Sequence, residues 1–126
     1  MAHLLIIDDD QQIVTLLRTY LEQEGHAVIS ARDGSEGLKI LAGTCFDIVI
    51  TDIIMPECDG YEVLMSTRNM LSRPKLIVMS GGSANLRQES LLEISKNLKA
   101  DAVLPKPIKL VELSAIIREL LSVGKT

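Results

Sequence analysis

Asp8, Asp9, Asp52, Ser80 and Lys106 are the residues of this sequence best suited to chemistry, and each follows a short apolar run. Asp8 and Asp9 come after Leu4-Leu5-Ile6-Ile7, Thr51-Asp52 after Ile48-Val49-Ile50, Ser80 after Leu76-Ile77-Val78-Met79, and Pro105-Lys106-Pro107 after Ala102-Val103-Leu104. Carboxylates gathered at one point repel one another and raise each other's pKa. A hard divalent cation such as Mg²⁺ relieves that repulsion, since it prefers oxygen ligands and keeps several waters. No cluster of soft ligands competes, so Zn²⁺ is not expected. A carboxylate, a metal ion, a hydroxyl and an ammonium together suit phosphoryl transfer. The carboxylate attacks phosphorus while the cations neutralise the equatorial oxygens.

For these side chains to meet, the apolar runs must be neighbouring strands pointing the same way. The residues between them support this. Ile13, Leu16, Leu17, Tyr20 and Leu21 recur at helical spacing, and Gly25 stops that helix. Segment 26–31 reads as a second strand, and Asp33-Gly34-Ser35 offers turn and N-cap chemistry before a helix carrying Leu38 and Leu41. Further helices are expected at Val63, Leu64 and Met70, around Leu91, Leu92, Ile94 and Leu98, and from Leu110 through Leu113, Ile116, Ile117 and Leu120 to Leu121. Strands that are apolar throughout are buried on both faces, which marks a parallel sheet sandwiched by helices. Right-handed crossovers then put helices on both sides. The expected fold is α/β, a doubly wound five-stranded parallel sheet of the flavodoxin-like kind with strand order 2-1-3-4-5. Its ligands bind where the carboxyl ends of the strands share one edge.

At 126 residues the chain fits a single domain, expected to span 1–126. Apolar residues make up 47% of it, too many for a disordered chain, and with aromatics at only 2% the core must be aliphatic. No apolar run approaches the roughly 20 residues that span a bilayer, so no membrane partner is expected. Met1-Ala2-His3 leads straight into an apolar segment without a signal-peptide pattern, so the expected location is cytoplasmic. The net charge of −4, with no basic stripe, argues against direct nucleic-acid binding. Cys45 and Cys58 lack histidines at metal spacing and read as free thiols.

Taken in order, Asp8-Asp9, the stretch Asp52-Ile53-Ile54-Met55-Pro56-Glu57-Cys58-Asp59-Gly60, Ser80 and Lys106-Pro107 resemble the signature set of response-regulator receiver domains. The likeness covers the whole chain. It implies that Asp52 accepts a phosphoryl group from a sensor histidine kinase or a histidine phosphotransfer protein, with output through an effector domain or partner. It further implies that Asp9, Asp52 and the backbone carbonyl of Ile54 ligate Mg²⁺, with Mn²⁺ as the alternative, and that Asp8 acts mostly through water. Ser80 would bond a phosphoryl oxygen, Lys106 would pair with the phosphoryl group, and Lys106–Pro107 would be cis. Two features depart from the family's pattern. Val103 stands where an aromatic switch residue is common, and the stretch from Ser80 to Lys106 is a few residues longer than usual. Ile54 and Gly82, the positions that flank an attacking water in the family, offer no polar side chain to orient it.

Asp10 reads as the N-cap of the first helix rather than as a ligand. His3 and His26, each beginning a strand at the far edge, read as structural or surface residues rather than catalytic ones. A phosphatase of the haloacid-dehalogenase type shares the aspartyl nucleophile, and Asp8-x-Asp10 mimics its opening motif. Gln12 stands where that family has Thr or Val, however, and only Glu112 and Glu119 follow Lys106. A pseudo-receiver that keeps the fold without the chemistry is disfavoured by intact Asp8, Asp9, Asp52, Ser80 and Lys106. The expectation is therefore a phosphoacceptor module and not a turnover enzyme.

Overall fold

A computed structural model describes residues 2–52, 74–80 and 100–123 of the chain. The expected helices around Val63 and Leu91, the Met55-Pro56 loop and Gly81-Gly82 lie outside these residues, as does Cys58.

Strands β1 (His3–Ile7), β2 (Ala27–Ala31), β3 (Ile48–Asp52), β4 (Lys75–Ser80) and β5 (Ala102–Pro105) form one parallel sheet in the order β2-β1-β3-β4-β5. This is the expected topology. The register levels the strand ends: Ile7 stands opposite both Ala31 and Thr51, Asp52 opposite Met79, and Ser80 opposite Pro105. Aspartates at the other edge help to fix it. Asp47 Oδ2 accepts the His3 N–H at 2.8 Å, and Asp101 Oδ2 accepts the Leu76 N–H at 2.7 Å.

Successive strand residues point to opposite faces, so each apolar strand feeds two cores. Leu4, Ile6, Ile48, Ile50, Ile77, Met79 and Leu104 pack on one face with Val14, Leu17 and Leu21 of α1 (Gln11–Gln23). Leu113 and Ile117 of the C-terminal helix α3 (Leu110–Val123) complete that layer. On the other face Leu5, Ile7, Val49, Leu76 and Val78 pack with Phe46 and with Leu41 of α2 (Gly34–Gly43). Full burial of an aliphatic side chain of this size is worth about 1.5–3 kcal/mol.

The ends of α1 follow the expected chemistry. Asp10 Oδ1 accepts the N–H groups of Gln12 at 3.0 Å and Ile13 at 3.4 Å, and Gly25 adopts φ 95° beyond the helix. Not every apolar residue at helical spacing in α1 faces the core. Leu16 points outward at 54% exposure, whereas Val14, which shares a face with Leu17 and Leu21 at spacings of three and four, is buried. The C-terminal helix is tied to α1 by a short hydrogen bond in which the buried Ser114 hydroxyl donates to Glu24 Oε1.

Candidate acidic phosphoryl-transfer site

The first strand ends at Ile7, and the chain turns at once into α1, so Asp8 and Asp9 fall on the carboxyl edge of the sheet. Asp8 is completely buried, and three contacts hold it. Its N–H donates to Ala31 O at 3.1 Å, its Oδ1 accepts the Asp10 N–H at 2.9 Å, and its Oδ2 accepts Lys106 Nζ at 3.0 Å. Asp52 is the last residue of β3, and its Oδ2 accepts the same ammonium at 2.9 Å. Lys106 therefore bridges two carboxylates. A cis Lys106–Pro107 bond follows the lysine, as expected.

Charge compensation governs this corner. Burial is the largest single influence on Lys106 and pulls its pKa down. The hydrogen bonds to Asp52 and Asp8, followed by their charges, outweigh it and hold the ammonium above the ordinary lysine value. Asp9 lies exposed at the rim. Lost hydration, then a hydrogen bond and charge repulsion from Asp8, and last the charge of Asp52, raise its carboxyl above the usual range.

One carboxylate oxygen from each of Asp8, Asp9 and Asp52 lies within 4.8 Å of the other two. Such a spacing, with oxygen donors only and like charges in want of a cation, fits a hard divalent ion. The structure thus brings Asp8, Asp9, Asp52 and Lys106 together. Ser80 ends β4 on the same edge, and Ile54 lies outside the described residues. The backbone N–H of Asp10, which fixes Asp8, escaped sequence reasoning, because a backbone donor has no residue signature. His3 and His26 play the structural parts expected of them. His3 Nδ1 lies 3.1 Å from Cys45 O, and His26 Nδ1 accepts the Ala2 N–H at 3.1 Å. Cys45 is a free, exposed thiol.

Comparison with known proteins agrees with the fold. The family described as the response regulator receiver domain matches residues 4–118. The transcriptional regulatory protein CpxR of Escherichia coli is 36% identical over 121 residues, covering 96% of this chain and 50% of CpxR. The receiver domain of the Francisella response regulator 1452 superposes with a TM-score of 0.87 at 27% identity, covering 99% of this chain and 100% of that one. The response regulator TrrA of Thermotoga maritima, solved in complex with Mg²⁺ and BeF, gives a TM-score of 0.80 at 29% identity, covering 95% of this chain and 99% of that one. The chain belongs to the response-regulator receiver-domain family of two-component signalling. It spans about half the length of the curated relatives it matches. Among the described residues, no helix is long and apolar enough to cross a membrane.

Proposed function

We propose that residues 1–126 act as a phosphoacceptor domain in which Asp52 takes a phosphoryl group from a phosphohistidine on a sensor kinase or a phosphotransfer protein. The observation that carries this reading is the meeting of Asp8, Asp9 and Asp52 with the Lys106 ammonium on one sheet edge. A carboxylate oxygen of Asp52 attacks phosphorus, the P–N bond of the donor imidazole breaks, and the ring nitrogen keeps the electron pair. Asp9 and Asp52 would hold the cation, joined by the Ile54 carbonyl and with Asp8 acting mainly through water if the family's pattern applies here. Bound there, Mg²⁺, or Mn²⁺ in its place, supplies charge neutralisation for the transferring group. Lys106 neutralises a further phosphoryl oxygen, and Ser80 donates a hydrogen bond to another. Ile54 and Ser80 are assigned by their places in the family's motif.

The product adds up to about −2 charge at this edge. The output surface is the fourth helix of the family fold with β5 and α3, read by a cytoplasmic effector domain or protein. Val103 has no aromatic ring and so cannot act as an aromatic rotamer switch. The domain assists its own phosphorylation and is not a turnover enzyme. The test is intact-mass labelling with a small phosphodonor. The expected result is one phosphoryl group in the presence of Mg²⁺, and none after chelation or in Asp52→Asn. Full labelling of Asp52→Asn would overturn the assignment.

A further inference from the structure

We infer that Gly37 is a positioning residue for the acidic site, because its missing side chain makes room for Ile7 at the end of β1. A Cβ built on Gly37 would lie 2.5 Å from Ile7 Cδ1 and 3.0 Å from Ile7 Cγ1. Both distances are well inside the roughly 3.5–4.0 Å at which carbon atoms attract. Ile7 is wholly buried among Ala31, Leu41, Val49 and Val78, so close packing leaves its terminal methyl nowhere to turn. Rotation about its outer bond would move Cδ1 alone and leave Cγ1 in conflict.

The Ile7 side chain is enclosed, so a methyl group at position 37 presses on α2 and on the end of β1, and the inference is that the strand end moves. The first turn of α2 is pinned where Asp33 Oδ1 accepts the Glu36 N–H at 2.8 Å and Asp33 O accepts the Gly37 N–H at 3.0 Å. Ile7 stands opposite Ala31 and opposite Thr51, the residue before Asp52. As the last residue of β1 it is followed directly by Asp8 and Asp9, so any shift of it is carried straight into the site. Displacing Ile7 shifts Asp8 and Asp9 relative to Asp52 and spoils the spacing of the three carboxylates.

This inference rests on the proposed metal-binding role of those carboxylates, and the experiment separates the two. MgCl₂ is added stepwise to wild type, Ile7→Val, Gly37→Ala and the double variant, with binding followed by amide NMR shifts and melting temperature recorded alongside. Wild type and Ile7→Val should bind Mg²⁺ alike. Gly37→Ala should bind several-fold more weakly and melt lower, although alanine is ordinarily the better helix former. Removing Cδ1 in the double variant should restore the affinity and lift the melting temperature above that of Gly37→Ala, despite the loss of a buried methyl group.

Unchanged affinity in Gly37→Ala would mean that α2 yields instead, and would overturn the inference. So would a double variant that binds no better than Gly37→Ala. If Gly37→Ala does not fold, a folded double variant of wild-type affinity supports the inference and an unfolded one refutes it. Wild type that shows no Mg²⁺-dependent shift near Asp9 and Asp52 would instead remove the metal-site reading beneath it.

Discussion

Lys106 Nζ lies 2.9 Å from Oδ2 of Asp52, a residue 54 positions earlier in the chain. The same ammonium reaches the wholly buried Asp8 at 3.0 Å, so one lysine compensates two carboxylates, one just after β1 and one at the end of β3. Removing one partner of a buried ion pair costs about 3–5 kcal/mol, because the remaining charge is left without compensation. Lys106→Met is expected to lose stability at the lower end of that range, since the lysine side chain is itself 15% exposed. Mg²⁺ should recover more stability in this variant than in wild type, as it supplies the missing positive charge. Urea unfolding with and without MgCl₂ measures both effects. Equal recovery in the two proteins would show that metal and ammonium do not serve the same carboxylates.

A second prediction concerns acid stability. Burial, opposed by the nearby charge of Glu24, holds the His26 pKa below its ordinary value of 6.5, and its Nδ1 accepts the Ala2 N–H at 3.1 Å. The folded protein therefore binds this proton more weakly than the unfolded chain does. The His26 contribution is complete above pH 6.5 and is lost as pH falls below that value toward the folded pKa. His26→Gln keeps an acceptor for Ala2 but cannot titrate. Its unfolding free energy should fall less than that of wild type between about pH 7.5 and pH 5. Parallel losses in the two proteins would contradict this role.

The cap at Asp10 separates helix stability from site geometry. Asp10→Ala removes the acceptor for the Gln12 and Ile13 N–H groups and should cost about 1 kcal/mol. The backbone N–H of residue 10 that donates to Asp8 Oδ1 remains in place, so Mg²⁺ affinity should stay close to wild type. Asp10→Asn should recover most of the stability. Chemical denaturation and Mg²⁺-dependent NMR shifts measured on both variants decide the matter. A large loss of affinity in Asp10→Ala would place Asp10 in the site itself.

The strands were legible because doubly buried strands leave an unmistakable mark, a run such as Leu4–Ile7 or Leu76–Met79 with no polar residue inside it. Their order follows from the flavodoxin-like fold that such β–α alternation suggests. The acidic edge was legible for a related reason, since Asp8, Asp9, Asp52 and Lys106 each stand where such a run stops. Helix faces are less legible in the sequence. Leu16 and Val14 both suit a helical repeat by composition, and only docking against the sheet decides which one turns inward. Relationships across the sheet were not legible at all. Asp47 and Asp101 look like loop residues, yet they anchor His3 and Leu76. Gly37 reads as a poor helix former until Ile7 is seen in the space that its side chain would fill.

The most direct test of the central claim is to locate the phosphoryl group chemically. Borohydride reduces an aspartyl phosphate to homoserine, so treating the protein after exposure to a phosphodonor and Mg²⁺ leaves a permanent mark at the acceptor. Peptide mass spectrometry should find homoserine at position 52 alone, and nowhere when Mg²⁺ is chelated. Homoserine at another aspartate, or labelled protein with none at position 52, would contradict the assignment of Asp52 as phosphoacceptor.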